Sequence, residues 1–396
     1  MGICKSAGLP VMVLVIAVTG IRGQESAGNL ARKRGVYVGA AVGGAFWGSD
    51  VRYKDTLKKE YNIIVAENAM KFDQLEPKRN LFTWKQADDL AAFAAQNDMA
   101  LRGHNLVWHQ ASGWISQAAA GLDRIEMQGI LKNHIDSVVG HFQGKILEWD
   151  VVNEGLDDAS GGLRDTFWRQ RIGDDYLDSA FTWAHRADPK ALLFYNDYSG
   201  EGMGGKADRI YALVKGMKDR GVPVQGVGLQ CHFASAKSFS VADIDLNMKR
   251  LGALGLRVSV TELDFRTALP ADSAALAVQK DNYARLLAVC LANANCKSFL
   301  TWGFTDAYSW VPDFFPGQGA ALPFDAEYKP KPAYQGMVQA LTDAVGIRPA
   351  LRPGPVRSQE VTLGFLRGSM EYSREGTPGS GTRAARNALG KWMEPR

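Results

Sequence analysis

The run Glu148-Trp149-Asp150-Val151-Val152-Asn153-Glu154-Gly155 decides how this chain is read. Its apolar, β-branched middle reads as a short buried strand begun at Ile146, which stops abruptly at Asn153, Glu154 and the permissive Gly155. Such a strand delivers a carboxylate at its C-terminal lip. In parallel α/β folds that lip is where loops and helix N-termini converge on a ligand.

Working outward, Leu256-Arg257-Val258-Ser259-Val260-Thr261-Glu262 is a second β-branched run that ends in glutamate and is followed by Leu263-Asp264. Two glutamates at the ends of two strands match the pair of carboxyl groups that glycoside hydrolysis requires. Further strands are expected at 36–42, 62–66, 99–104, 191–196, 224–230 and 298–302, which with 147–153 and 256–261 make eight. Helical patterns lie between them. The charged segment 50–60 suits a helix, 174–187 sets Leu177, Ala180, Phe181 and Ala184 on one face, and 206–220 does the same with Ile210, Leu213, Val214 and Met217. Eight strand–helix units fit a closed (β/α)8 TIM barrel, an α/β fold with one catalytic domain over 30–345. An open doubly wound sheet is the alternative, but Gly43-Gly44 after the first strand lacks the spacing of a dinucleotide fingerprint.

The composition, 46% hydrophobic and 22% charged over 396 residues, excludes disorder throughout and allows one large domain. The formal charge of +4 is uneven. From Gly346 onward eight Arg and one Lys face four Glu, so the basic character belongs to the tail 346–396, which is also rich in Gly, Pro and Ser and is expected to be disordered. The main domain therefore offers no reason to expect nucleic acid as a partner.

At the other end Lys5 precedes the uncharged run from Leu9 to Val18 and then the small residues Thr19 and Gly20. This is signal-peptide architecture over 1–23, too short for a membrane span, and it implies a secreted or periplasmic protein with no membrane anchor after cleavage. A monomer is expected. Of the four cysteines, Cys4 leaves with the signal. Cys290 and Cys296 lie close in sequence and are expected to pair in an exported protein, the alternative being two reduced core thiols. No set of Cys and His has zinc-ligand spacing, and no metal or cofactor is expected.

Several motifs end the expected strands, and together they resemble glycoside hydrolase family 10, the endo-β-1,4-xylanases. They are Glu67-Asn68-Ala69-Met70-Lys71, Gly103-His104-Asn105-Leu106-Val107-Trp108-His109, Trp149-Asp150-Val151-Val152-Asn153-Glu154, Tyr195-Asn196-Asp197-Tyr198, Gln230-Cys231-His232-Phe233, Thr261-Glu262-Leu263-Asp264 and Trp302-Gly303-Phe304-Thr305-Asp306 with Ser309-Trp310. The resemblance implies a retaining, double-displacement hydrolase of xylan and xylooligosaccharides. In it Glu154 is the acid/base and Glu262 the nucleophile, their carboxyl groups about 5 to 5.5 Å apart. It further implies that His232 hydrogen-bonds the nucleophile and that Asn153 holds the 2-hydroxyl of the reacting sugar. By the same resemblance Glu67, Asn68, Lys71, His104, Trp108, Tyr198 and Gln230 contact sugars on the non-reducing side, and Trp302 and Trp310 roof the catalytic subsite. Two departures stand out. Trp108-His109-Gln110-Ala111-Ser112-Gly113-Trp114 is one residue shorter than the family pattern and lacks its proline, which leaves Gln110 without an assigned role, and Cys231 occupies a position where serine is usual. A catalytically inert, glycan-binding barrel is the rival function; loss of either glutamate would betray it, and both are present.

Overall fold

In the computed structural model, which describes residues 25–234 and 239–343, the β-branched segments become the staves of a closed parallel ring. The staves are β1 (Tyr37–Val42), β2 (Ile63–Ala66), β3 (Ala100–Val107), β4 (Glu148–Asn153), β5 (Leu192–Asp197), β6 (Gly226–Leu229), β8 (Arg257–Ala268) and β9 (Cys296–Thr301). Two short strands, β7 (His232–Ala234) and β10 (Gln318–Gly319), pair with the outer part of β8. Closure comes from β9, which pairs with β8 on one side and with β1 on the other, in register from Tyr37↔Ser298 to Ala40↔Thr301. A closed ring leaves no unpaired edge. The expected (β/α)8 barrel is thus the observed fold, and the open sheet is excluded. The chain divides into two units, Met1–Ile347 and Arg348–Arg396; the expected signal segment and basic tail lie outside the described residues.

Local chemistry accounts for the helices. Asp50 caps Val51–Glu60 by accepting the Arg52 N–H. Tyr176–Ala187 buries the predicted stripe Leu177, Ala180, Phe181 and Ala184; Gly205–Asp219 buries Ile210, Val214 and Met217, with Leu213 only half-buried. The helix Ala27–Arg34 escapes the sequence reading because its four polar or basic residues mask a narrow buried stripe of Ala27, Gly28 and Ala31. It is held by a Ser26 cap, by the Ala27 N–H donating to Tyr334 Oη at 3.2 Å, and by Arg34 reaching the carbonyls of Leu341 and Thr342 in the last helix, Pro332–Asp343.

The seventh stave differs most from expectation. It does not stop near Glu262 but continues to Ala268, burying Leu263 and Phe265 on one face while Asp264 and Arg266 project from the other. The expected strand ends at 261, yet Asp264 and Arg266 are the polar half of a two-residue alternation beyond it.

The barrel interior has two kinds of filling. Ala41, Ile63, Val65, Leu300 and Trp302 form an apolar cluster. Beside it Arg102, fully buried, pairs with Glu148 and Asp150, and Ser298 Oγ and Ser259 Oγ donate to the Glu148 carboxylate at 2.8 and 3.2 Å. A buried charge cluster is tolerable because every member has a partner. Burial alone would raise the Asp150 pKa, but Arg102 beside it holds it below the usual range. Within β3, Gly103 is required: a Cβ there would lie 2.1 Å from the Trp149 ring on the neighbouring β4. The expected Cys290–Cys296 disulfide is present, spanning 5.2 Å between Cα atoms, and among the described residues Cys231 is the free cysteine, and it is buried.

Candidate active site

The sequence-predicted residues gather at the C-terminal mouth of the barrel. Glu67 follows β2, Trp108 follows β3, Glu154 follows β4, Tyr198 follows β5, Gln230 follows β6 and Trp302 follows β9. The local backbone aims several of them. Glu154 itself, not Gly155, takes the left-handed conformation, with φ of 55°, and Cys231 does so with φ of 64°. For side chains larger than glycine this costs roughly 1–3 kcal/mol each and is concentrated at functional sites. Each twist bends the chain just past a strand without reversing it at Cys231, since β6 and β7 on either side both run parallel to β8. The first presents the Glu154 carboxylate to the mouth; the second lets Gln230 and His232 face the same space.

The two carboxylates are joined by a chain of side-chain amides. Asn196 Nδ2 donates to Glu262 Oε1 at 2.7 Å and to Asn153 Oδ1 at 2.8 Å. Gln230 Nε2 donates to the same Asn153 oxygen and to Glu154 Oε1, each at 3.2 Å. Asn196 is fixed in turn by Thr261 Oγ1, which donates to its Oδ1 at 2.8 Å. Asn153 and Asn196 stand opposite one another in the β4–β5 register, so strand pairing alone brings these amides together.

The two glutamates have different surroundings. The Glu154 carboxylate accepts from Trp108 Nε1 at 2.9 Å, and His109 Nδ1 lies 3.7 Å away. Burial pushes the His109 pKa down to about 4, the Glu154 charge only partly opposing it, so this neighbour is a neutral imidazole near pH 7. Glu262 is 5% exposed, and burial pushes its pKa up. The bond from His232 Nε2 at 3.3 Å, together with the charges of His104 and His232, overcomes that penalty and leaves Glu262 below the ordinary range. His232 can do this because Asp264 accepts from its Nδ1 at 2.7 Å. Burial alone would discharge the ring, yet the charges of Asp264 and Glu262 and its hydrogen bonds to them together prevail and raise its pKa to about 10. Trp310 Nε1 donates to the same Asp264 oxygen at 3.0 Å, and its ring meets His232 edge-on at 5.1 Å.

Around this pair, Lys71 is nearly buried, donates to Asn68 Oδ1 at 2.9 Å and sits 5.0 Å over the Trp108 ring. It is no surface salt bridge: burial depresses its pKa, against the opposing charges of Glu67 and Glu262. Burial likewise raises Glu67, with Lys71 opposing. His104 donates Nδ1–H to Asp150 at 3.0 Å and meets Trp302 edge-on at 5.1 Å, so Asp150 couples the interior charge cluster to the mouth. Trp302 is 9% exposed and belongs to the interior cluster, whereas Trp310 is half-buried over the rim. Tyr198 stands apart from the carboxylates: its hydroxyl bonds Asp158 and accepts from Arg164 at 3.1 Å, and buried Lys206 lies 3.5 Å over its ring. Lys206 also pairs with Asp197 at 2.7 Å; burial lifts Asp197 to about 6, Lys206 opposing. Gln110 reaches only the His109 ring, at 3.4 Å. Asn196, Asp264 and His109 were quoted within sequence motifs but given no role; their spacing after strands was the available signal. Among the described residues no cluster of His, Cys, Asp and Glu is arranged to hold a metal.

A (β/α)8 barrel with an amide-bridged pair of glutamates at its C-terminal mouth defines a glycoside-hydrolase type of site. The sequence of residues 26–340 matches the model of glycosyl hydrolase family 10, and the chain belongs to that family. It is 38% identical over 334 residues to an endo-1,4-beta-xylanase B of Thermotoga neapolitana, covering 83% of this chain and 95% of that one. An endo-1,4-beta-xylanase 1 of Humicola insolens is also 38% identical, over 79% of this chain and 73% of its own length. Among solved structures, xylanase 10B of Thermotoga petrophila in complex with xylobiose superposes with a TM-score of 0.79 at 38% identity, covering 82% of this chain and all of that one. Native xylanase 10B of Thermotoga maritima gives 0.78 at 39% identity, over 81% and 99%.

Proposed function

We propose that this chain is a retaining endo-β-1,4-xylanase that cuts internal bonds of xylan by double displacement, with Glu262 as nucleophile and Glu154 as acid/base. The observation that carries this reading is the contrast between the two carboxylates. Glu262 is kept ionised by an imidazolium, as a nucleophile must be. Glu154 has no imidazolium beside it: it accepts from the Trp108 N–H and the Gln230 amide and faces a neutral imidazole, and it is the carboxyl we assign to proton transfer with the leaving oxygen. In the first step Glu262 attacks the anomeric carbon while Glu154 protonates the departing sugar. In the second, Glu154 takes a proton from water, which displaces Glu262.

Asn153 offers its remaining amide N–H to the 2-hydroxyl of the reacting sugar, its oxygen being occupied by Asn196 and Gln230. That bond strengthens as positive charge develops at the ring. Lys71, Glu67, Asn68 and His104 crowd the non-reducing side, and Trp302 and Trp310 cover the catalytic subsite, leaving little room for a hydroxymethyl group at C5. We extend the reading to a secreted or periplasmic monomer whose residues 346–396 take no part in hydrolysis; no described helix is long and apolar enough to cross a membrane. Product analysis on linear β-1,4-xylan tests the assignment: short xylooligosaccharides released from internal positions are expected. Equal efficiencies on aryl β-xylobioside and aryl β-cellobioside would overturn the choice of sugar.

A further inference from the structure

Arg266 lies two residues beyond Asp264 on β8 and continues the face that carries Asp264. Its neighbour across the β7–β8 pair is Ala234, as that of Asp264 is His232, and side chains two apart in a strand share a face. At about 3.3 Å per residue its Cα stands roughly 13 Å outward of Glu262 along the rim. The guanidinium is 4.0 Å over the Phe315 ring, Phe315 meets Trp310 at 5.6 Å, and Trp310 meets His232. Arg266 is therefore set into the same aromatic wall that borders the candidate nucleophile, but further out.

Among the described residues it also lacks a counterion, as Arg209 does, but it does so on the aromatic wall beside the candidate nucleophile. Arg169 pairs with Asp174, Arg220 with Asp178 and Arg250 with Asp208. Arg266 makes no ion pair among the described residues, and its buried Nε donates to nothing. Half-burial pushes its pKa down, and the charge of Asp264 opposes this only in part. Desolvating a cation without a partner costs free energy. A guanidinium held flat on a ring, with an unused Nε, presents a planar fork that a carboxylate fills with two parallel hydrogen bonds.

We propose that Arg266 is a recognition site for a carboxylate-bearing sugar, a uronic-acid side group on a xylan chain lying in the cleft. The proposal rests on the xylanase reading and refines it from xylan in general to acid-decorated xylan. The test compares glucuronic-acid-substituted xylan, the same polymer after reduction of its carboxyl groups, and linear neutral xylan. For the unmodified protein, kcat/KM on the acidic polymer relative to the reduced one is expected to be roughly tenfold higher at low salt, and the advantage should shrink as salt is raised. In Arg266→Gln that ratio should fall to near one, with Arg266→Lys intermediate because a point charge keeps attraction without the fork. Equal rates on acidic and reduced polymers by the unmodified protein overturn the proposal even if the variants fail to fold. A ratio preserved in a folded Arg266→Gln overturns it equally. A protein inert on linear neutral xylan would remove the activity itself, an outcome separate from either of these.

Discussion

Glu262 and Glu154 carry the same carboxyl group, and what divides their labour is one histidine. His232 is pinned by Asp264 and can remain charged beside Glu262, while the histidine beside Glu154 is neutral. Glu262→Ala should abolish turnover on every glycoside. Glu154→Ala should cripple substrates with poor leaving groups and spare activated aryl xylosides, since a good leaving group needs no proton. A leaving-group series checks this, and a flat response in Glu154→Ala would reassign the acid.

His232→Gln removes the proton donor that keeps Glu262 ionised, so the acidic limb of kcat/KM should move to higher pH. The same histidine ties stability to pH. Its folded pKa, near 10, exceeds the ordinary 6.5, so its contribution is complete below 6.5 and is lost as pH rises toward 10. Glu262, lowered by folding, contributes in the opposite sense: its share is present above the ordinary 4.5 and is lost as pH falls below it. Melting temperatures measured across pH should therefore fall on the alkaline side, and less steeply in His232→Gln.

At the scale of elements, the strand termini hold the site together. Asn196 on β5 connects Asn153, Glu262 and Thr261, so Asn196→Ala leaves three buried polar groups short of a partner. A loss of about 1–3 kcal/mol of stability is expected, together with a fall in kcat of roughly tenfold or more at little change in KM. Gly103→Ala should cost about as much with no direct effect on the chemistry, because its Cβ has no room against Trp149. Thermal unfolding and initial rates separate the two cases.

These elements differ in how far the sequence disclosed them. The eight staves were legible because β-branched runs bounded by glycine and charge are a local signal. The extension of β8 was not, because Asp264 and Arg266 take strand positions only through pairing with β7 and β10, which are distant in sequence or too short to announce themselves. The left-handed turn at Glu154 was not legible in the sequence, which marks only Gly155 as conformationally permissive. The carboxylates themselves were readable from their motifs. The amide chain between them was not, since Asn196 and Gln230 acquire their role from cross-strand register.

For the whole molecule, the Cys290–Cys296 bridge closes a very small loop between the helix Ser273–Ala292 and β9, away from the mouth. Cys290→Ala with Cys296→Ala should lower stability by about 2 kcal/mol or less and leave hydrolysis unchanged, measured as a shift in the urea midpoint. Removal of 346–396 should likewise leave the rate on soluble xylan unaltered.

The first and last helices, Ala27–Arg34 and Pro332–Asp343, run side by side: Ala27 touches Tyr334 at one end, and Arg34 reaches Leu341 and Thr342 at the other. The beginning of one and the end of the other are therefore separated by about one length of the 12-residue last helix, roughly 18 Å. Eight or so flexible residues, on the order of what that span needs with slack, can bridge it. The order in which the strands are threaded is then a matter of history and not of architecture. A circularly permuted chain, joined from Asp343 to Ser26 and opened at the exposed turn of Gln143, Gly144 and Lys145 on the face away from the carboxylates, retains every contact of the mouth and should still cut xylan.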